Sequence, residues 1–338
     1  MNLGFWEKLK KPIMVLAPMA DVTDAAFRSI IAKYGKPDVT WTEFVSADGL
    51  CHPKGCEKLL IDLKFSEAER PIVAQLFTSN PDNMRKAAAL VRELGFDGLD
   101  INMGCPDKTV EKQGCGAALI KNPKLARELI RAAKEGAGSL PVSVKTRIGY
   151  NENELNTWLP ELLAEEPAVV TIHARTRKEM SNVPARWEHV KEAVEIRDKL
   201  GSKTLIFGNG DVLDLADAQV KVSATGADGA MLGRAIFGNP FLFAKREAES
   251  RVGNQESRIQ ARLEVMLEHT KLFEKFFKGI KSFAVMKKHY KAYVLGFASQ
   301  GGPGHPKDDA KELRMKLMET QNAEEVEVLV RRYLNSRM

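Results

Sequence analysis

Four chemically capable side chains stand just past short apolar runs in this 338-residue chain. They are Cys105 in Asn102-Met-Gly-Cys-Pro106, Lys145 in Val144-Lys-Thr-Arg-Ile-Gly149, His173 in Ile172-His-Ala-Arg-Thr-Arg177 and Arg234 in Gly233-Arg-Ala-Ile-Phe-Gly238. A thiol in a glycine-rich turn is a candidate acid, nucleophile or ligand, set against the ordinary behaviour of a free cysteine as a small buried hydrophobe. A lysine and a histidine at successive strand ends suit a flavin, whose N1-C2=O region gains negative charge on reduction. Read separately, Lys145 could form a Schiff base and His173 could be structural. Asn209-Gly-Asp-Val212 and the segment from Gly233 to Pro240 offer backbone amides beside glycine, with Arg234 adjacent. That is the composition of a phosphate site. Together these signals select a flavin mononucleotide barrel over a generic phosphate-binding one.

The elements that must position these groups follow a rhythm. Eight β-rich runs, at 13–19, 39–45, 72–77, 99–103, 142–146, 169–173, 205–209 and 230–234, alternate with stretches of helical spacing. Helices are expected at 24–34, 81–94, 123–137, 155–165, 187–200 and 214–224, and the segment 46–70 reads as irregular. Asn80-Pro81 and Asn122-Pro123 supply an N-cap followed by proline at the first helical position. Eight strand-helix units predict an α/β fold, a closed (β/α)8 TIM barrel. An open dinucleotide-binding sheet would need a Gly-x-Gly-x-x-Gly turn after its first strand, and Ala17-Pro-Met-Ala-Asp-Val22 has none. Glu43, Gln75, Asn102, Lys145, His173, Asn209 and Arg234 fall at or near run ends, where barrel active sites collect.

Past Pro240 the β signal stops. The expectation is a catalytic barrel over 1–240 and a smaller all-helical domain over 241–338, with helices at 255–278, 280–296, 307–318 and 323–335 and a loop at 301–306. The net charge of +6 lies in that tail, which holds 19 Lys and Arg against 13 Asp and Glu, while the first 240 residues balance at 32 of each. Lys271, Lys275, Lys278, Lys281, Lys287, Lys288 and Lys291 alternate with Phe273, Phe276, Phe277, Phe283, His289, Tyr290 and Tyr293. That pattern fits a surface for phosphates and bases or a solvated helix face, with some of the aromatics serving as helix core.

Four cysteines are too few and scattered for a disulfide framework, and Cys51-His-Pro-Lys-Gly-Cys56 lacks a second ligand pair, so no metal is expected. No apolar run reaches membrane-spanning length and the first residues lack a signal-peptide core. A cytoplasmic protein without membrane association is expected. Oligomeric state stays open, and a monomer is compatible with the sequence.

The chain resembles tRNA-dihydrouridine synthases over essentially its whole length. The likeness rests on Ala17-Pro-Met-Ala-Asp-Val-Thr-Asp-Ala-Ala-Phe-Arg28, Asn102-Met-Gly-Cys-Pro106 with Gly114-Cys-Gly-Ala117, Lys145-Thr-Arg147, His173-Ala-Arg-Thr-Arg177, Asn209-Gly-Asp211, Gly233-Arg234 with Gly238-Asn-Pro240, and Met286-Lys-Lys-His-Tyr-Lys-Ala-Tyr293. The resemblance implies an FMN barrel with a helical tRNA-binding domain, in which NADPH reduces the flavin and a hydride passes from flavin N5 to uracil C6. It implies Cys105 as the acid that protonates C5. It puts flavin contacts on Pro18, Met19, Gln75, Lys145, His173, Asn209, Gly210, Asp211, Gly233 and Arg234, and substrate contacts on Asn102, Arg175, Lys287 and Lys288. Ala174, where the family usually has glycine, and Lys291-Ala292 depart from the pattern. A flavin barrel acting on a free pyrimidine, or an RNA-binding protein on a retired barrel, are the competing readings.

Overall fold

The computed structural model describes residues 1–244, 255–295 and 307–336. Eight strands follow in chain order: β1 (Ile13–Leu16), β2 (Thr40–Ser46), β3 (Ile72–Phe77), β4 (Gly98–Met103), β5 (Val142–Arg147), β6 (Val169–His173), β7 (Leu205–Asn209) and β8 (Gly229–Leu232). All pair in parallel, in the order β1-β8-β7-β6-β5-β4-β3-β2. A parallel bridge from Val15 to Val39, with the Asp38 amide donating to the Met14 carbonyl at 2.9 Å, brings the two ends together and closes the barrel. The strands are buried in nearly every position because parallel strands in a barrel are covered on both faces; β4, β7 and β8 are buried throughout.

The two ends of the barrel differ chemically. A 3-10 turn, Gly4–Lys8, sets Trp6 at 2% exposure against Trp41 and Phe207, with ring centroids 5.8 and 5.6 Å away, among the first residues of several strands. That apolar plug leaves the opposite, carboxyl end for polar side chains.

Helices Pro81–Glu93 and Pro123–Ala137 start as the Asn-Pro pairs require: the Asn80 side chain accepts from the Asp82 and Asn83 amides and that of Asn122 from the Leu125 amide. The segment expected to be irregular is instead helical, with Ala47–Leu50, Pro53–Leu59 and 3-10 turns at Leu60–Leu63 and Glu67–Glu69. These pieces are too short to show a period, and Ser46 and the Ser66/Glu69 capping box hold them locally.

The chain forms two compact units: Met1–Ala20 with Pro37–Arg234, and Asp21–Lys36 with Ala235–Met338. This differs from a division at residue 240. The helix Ala25–Tyr34 groups with the carboxyl-terminal helices Gln255–Phe277, Met286–Leu295, Lys307–Leu317 and Ala323–Asn335. Phe27 lies 5.4 Å from the His269 ring and 5.1 Å from that of His289, and Lys33 and Tyr34 both donate to Glu268. The helix expected from residue 280 starts at Met286, after a 3-10 turn capped by Ser282. The loop expected at 301–306 lies outside the described residues.

Candidate active site at the carboxyl ends of the strands

Cys105 is half-buried where the chain leaves β4. The Asn102 Oδ1 accepts from the Gly104 and Cys105 amides at 3.1 and 2.9 Å, and the Cys105 carbonyl accepts from the Ala117 amide at 2.9 Å. Gly116, at φ +61°, permits this return: a Cβ there would stand 2.6 Å from the Cys105 carbonyl oxygen. Asp107 caps the short helix Lys108–Lys112 that follows. The Arg147 Nε donates to the Gly104 carbonyl at 2.8 Å, and Arg177 pairs bidentately with Glu111, so β5 and the loop after β6 both grip the thiol's segment. Burial pushes the Cys105 thiol up, against opposing pulls from the Asp107 amide and from Lys145 and Arg147, so it is protonated at neutral pH.

Beside it, Asn102 is in register with Lys145 on β5. The half-buried Lys145 ammonium has no hydrogen bond among the described residues, and burial together with the Arg147 charge lowers it to about 8. Arg147 is itself lowered to about 10 by burial. On β6, burial and the surrounding cations drive His173 well below its usual value, so the ring is neutral. Its Nε2 lies 3.1 Å from an Arg175 Nη1, which can only donate. The ring proton is therefore on Nδ1.

After β7, Asp211 takes the left-handed conformation at φ +46° and accepts from Arg175, from the Arg234 Nη2 at 2.5 Å and from the Ala185 amide at 2.8 Å. The pairing with Arg175 holds its carboxyl below the usual range. Gly210, at φ +120°, has its carbonyl bonded to Trp187 Nε1 at 2.8 Å. The Asn209 Nδ2 donates to the Met231 carbonyl at 2.8 Å, tying β7 to β8. Arg234 is 64% exposed and has guanidinium donors beyond the one spent on Asp211. A Cβ on neighbouring Gly233 would meet only Ala17 and Met19, at 3.7 and 3.8 Å.

The barrel unit thus gathers Gln75, Asn102, Cys105, Lys145, His173, Asn209, Gly210, Asp211, Gly233 and Arg234 at one end of the sheet, with Pro18 and Met19 just past β1. Arg175, expected at the substrate, is instead turned into the protein: it is 2% exposed, and its guanidinium is spent on the Val183 carbonyl, His173 and Asp211. Lys287 and Lys288 lie in the helical unit, Lys288 exposed and 3.6 Å from Asp21. Phe273, Phe277, His289, Tyr290 and Tyr293 are buried in that unit and are core. Lys275, Lys278 and Lys291 are exposed, so the basic face offers charge without those rings. The sequence assigned no role to Asp100, Glu111 or Arg147, although Arg147 stands in the Lys145-Thr-Arg147 motif. A carboxylate inside the apolar run of β4 was the available signal for the first.

A family profile described as "Dihydrouridine synthase (Dus)" matches residues 15–332. The chain belongs to the dihydrouridine synthase family. Among curated dihydrouridine synthases it is 41% identical over 340 residues, 99% of both chains, to "Probable tRNA-dihydrouridine synthase 2" of Bacillus subtilis (strain 168). It is 39% identical over 332 residues, 98% of this chain and 95% of the relative, to "Probable tRNA-dihydrouridine synthase" of Staphylococcus aureus (strain MRSA252). This dihydrouridine synthase also resembles two solved structures in fold. One is a 2-naphthoyl-CoA reductase, with TM-score 0.55 and 11% identity, covering 74% of this chain and 51% of that one. The other is the 6-hydroxypseudooxynicotine amine oxidase of Pseudomonas geniculata N1, with TM-score 0.52 and 14% identity, covering 76% and 50%. Among the described residues of this dihydrouridine synthase, no helix is long and apolar enough to cross a membrane and no cluster of three or more His, Cys, Asp or Glu could hold a metal.

Proposed function

We propose that this dihydrouridine synthase is a cytoplasmic enzyme that reduces uridines of tRNA to 5,6-dihydrouridine with FMN as cofactor and NADPH as reductant. The observation that carries the reading is Cys105: a half-buried thiol, kept protonated by burial and tethered at both its amide and its carbonyl, beside the cations of a barrel mouth. The family match and the names of the two relatives, both tRNA-dihydrouridine synthases, support the substrate class.

The residues present fit a flavin mononucleotide. Lys145 is a cation with no hydrogen bond among the described residues, His173 is a neutral donor through Nδ1, and Arg234 beside Gly233 has spare donors for a phosphate. Asn209, Gly210 and Asp211 complete the phosphate end and Pro18 and Met19 wall the ring, whereas Gln75, expected at the flavin, is fully buried with its amide given to Asp100 and Asn102. When bound, the flavin supplies the hydride that uracil receives at C6.

The chain's own part is binding, orientation and proton delivery. Cys105 gives its proton to C5 as C6 is reduced, and Lys145 and Arg147 stabilise the thiolate left behind until solvent reprotonates it. Asn102 bounds the pyrimidine while holding the thiol loop. A uridine must leave its stack to reach a barrel mouth, at a cost of a few kcal/mol that is smaller for a loop base. Lys275, Lys278, Lys287, Lys288 and Lys291 of the helical unit offset that cost through phosphate contacts, which release counterions.

Purified holoenzyme with NADPH tests the reading on unmodified tRNA and on free uridine. Dihydrouridine formed in tRNA, with no measurable turnover of the nucleoside, is expected. Equal turnover of both would transfer the chain to free-pyrimidine reduction.

A further inference from the structure

Asp100 lies on β4 two residues before Asn102, so the two side chains share one face of the strand. Asp100 is 1% exposed. Its Oδ1 accepts from the Ser143 Oγ at 2.5 Å and its Oδ2 from the Gln75 Nε2 at 2.6 Å. An ionised carboxylate only accepts, whereas an amide has one donating end and one accepting end. Gln75 must therefore turn its NH2 toward Asp100 and its Oε1 onward, where the Asn102 Nδ2 donates to it at 3.1 Å. That leaves Asn102 its Oδ1 for the Gly104 and Cys105 amides, at 3.1 and 2.9 Å. One charge sets the direction of every contact from the barrel interior to the backbone of the thiol residue.

We propose that Asp100 is a positioning residue for Cys105, acting through Gln75 and Asn102 to fix the backbone at which the thiol loop leaves β4. The proposal rests on the reading of Cys105 as proton donor. Burying a carboxylate is costly, and an apolar residue of similar size would fill the barrel interior without that cost. A charge at this place therefore calls for a role that packing does not supply. The groups that face it are Gln75 on β3, Ser143 and Lys145 on β5 and Trp41 on β2; burial raises Asp100 to about 6 against their opposing pull, so it is ionised at neutral pH. The carbonyl side of the same turn is held independently by Arg147 on Gly104. Losing the Asp100 charge should release the amide side alone.

Asp100→Asn is nearly isosteric but can offer Gln75 either a donor or an acceptor. Two directions of the chain then compete, and in one the Asn102 NH2 faces the Gly104 and Cys105 amides and both bonds are lost. The test is residue-resolved amide hydrogen exchange by NMR on the holoenzyme, with tRNA kinetics alongside. Expected in Asp100→Asn are exchange at Gly104 and Cys105 faster by about tenfold or more, strand amides of β4 and β5 unchanged, and kcat lower by about tenfold with KM for tRNA and flavin content unchanged. Unchanged protection at both amides, or exchange raised throughout β4, overturns the proposal. If Asp100→Asn does not fold, Gln75→Leu cuts the same chain one link later and must show the same two-amide signature; its absence is equally decisive. Exchange is read without turnover, so a Cys105→Ala enzyme that stayed active would sink the proton-donor reading and leave this measurement standing as a separate result.

Discussion

Arg175 donates to the Nε2 of His173 across 3.1 Å, and the imidazole proton is thereby fixed on Nδ1. Arg175 also pairs with Asp211, which pairs in turn with Arg234. A buried guanidinium thus links the histidine expected at the flavin ring to the group expected at its phosphate. Arg175→Met should leave both tautomers of His173 populated and weaken flavin binding about tenfold, or ~1.4 kcal/mol. Nitrogen-15 shifts of the His173 ring and flavin titration check this. Unchanged ring shifts would mean that the contact does not set the tautomer.

Lys145 gives the pH dependence a sign. With burial lowering it to about 8, its charge is present below that pH and lost above it. Flavin affinity should hold from neutrality to about pH 8 and then decline. The flavin-free protein should behave oppositely: the unfolded chain binds the extra proton between about 8 and the ordinary 10.5, so stability rises with pH across that window. Flavin titrations and denaturant melts of the flavin-free protein from pH 7 to 10 check the pair of trends; parallel trends would contradict them.

Gly210 tests the phosphate end. A Cβ there would lie 2.8 Å from that of Ala185 and 3.1 Å from the His173 Cδ2, at a φ of +120° that L side chains rarely adopt. Gly210→Ala should cost about 1–3 kcal/mol of stability and weaken flavin binding with it. A melt at the wild-type midpoint would show that the loop relaxes freely.

The basic face of the helical unit should act through charge. Lys287→Glu with Lys288→Glu is expected to weaken tRNA binding and to lower the slope of log affinity against log salt by about one to two. Filter-binding isotherms at several salt concentrations give the slope. An unchanged slope would identify these lysines as a solvated face.

The strands were legible because buried parallel strands are short β-rich runs: β3, β6 and β7 have the expected bounds. The helices at 47–59 were not, because Gly49, Pro53 and Gly55 interrupt pieces too short to carry a period. The helix Ala25–Tyr34 was read as a helix, but periodicity shows which residues want cover and not which neighbours supply it. In the site, spacing brought Lys145, His173 and Arg234 to strand ends. It could not tell that Arg175 turns inward, because the direction of a side chain depends on partners, here Val183 and Asp211, that lie 8 and 36 residues away. The same limit left open which of the tail's aromatics are core; Phe273 and Tyr290 are among them.

Cys105 carries the central claim. Mass-spectrometric counting of dihydrouridine in tRNA, after incubating unmodified tRNA with NADPH and either wild-type enzyme or Cys105→Ala, tests it most directly. Abundant dihydrouridine is expected with the wild type and at least a hundredfold slower formation, about the contribution of a general acid, with a variant that retains its flavin. Formation at the wild-type rate by flavin-loaded Cys105→Ala would contradict it.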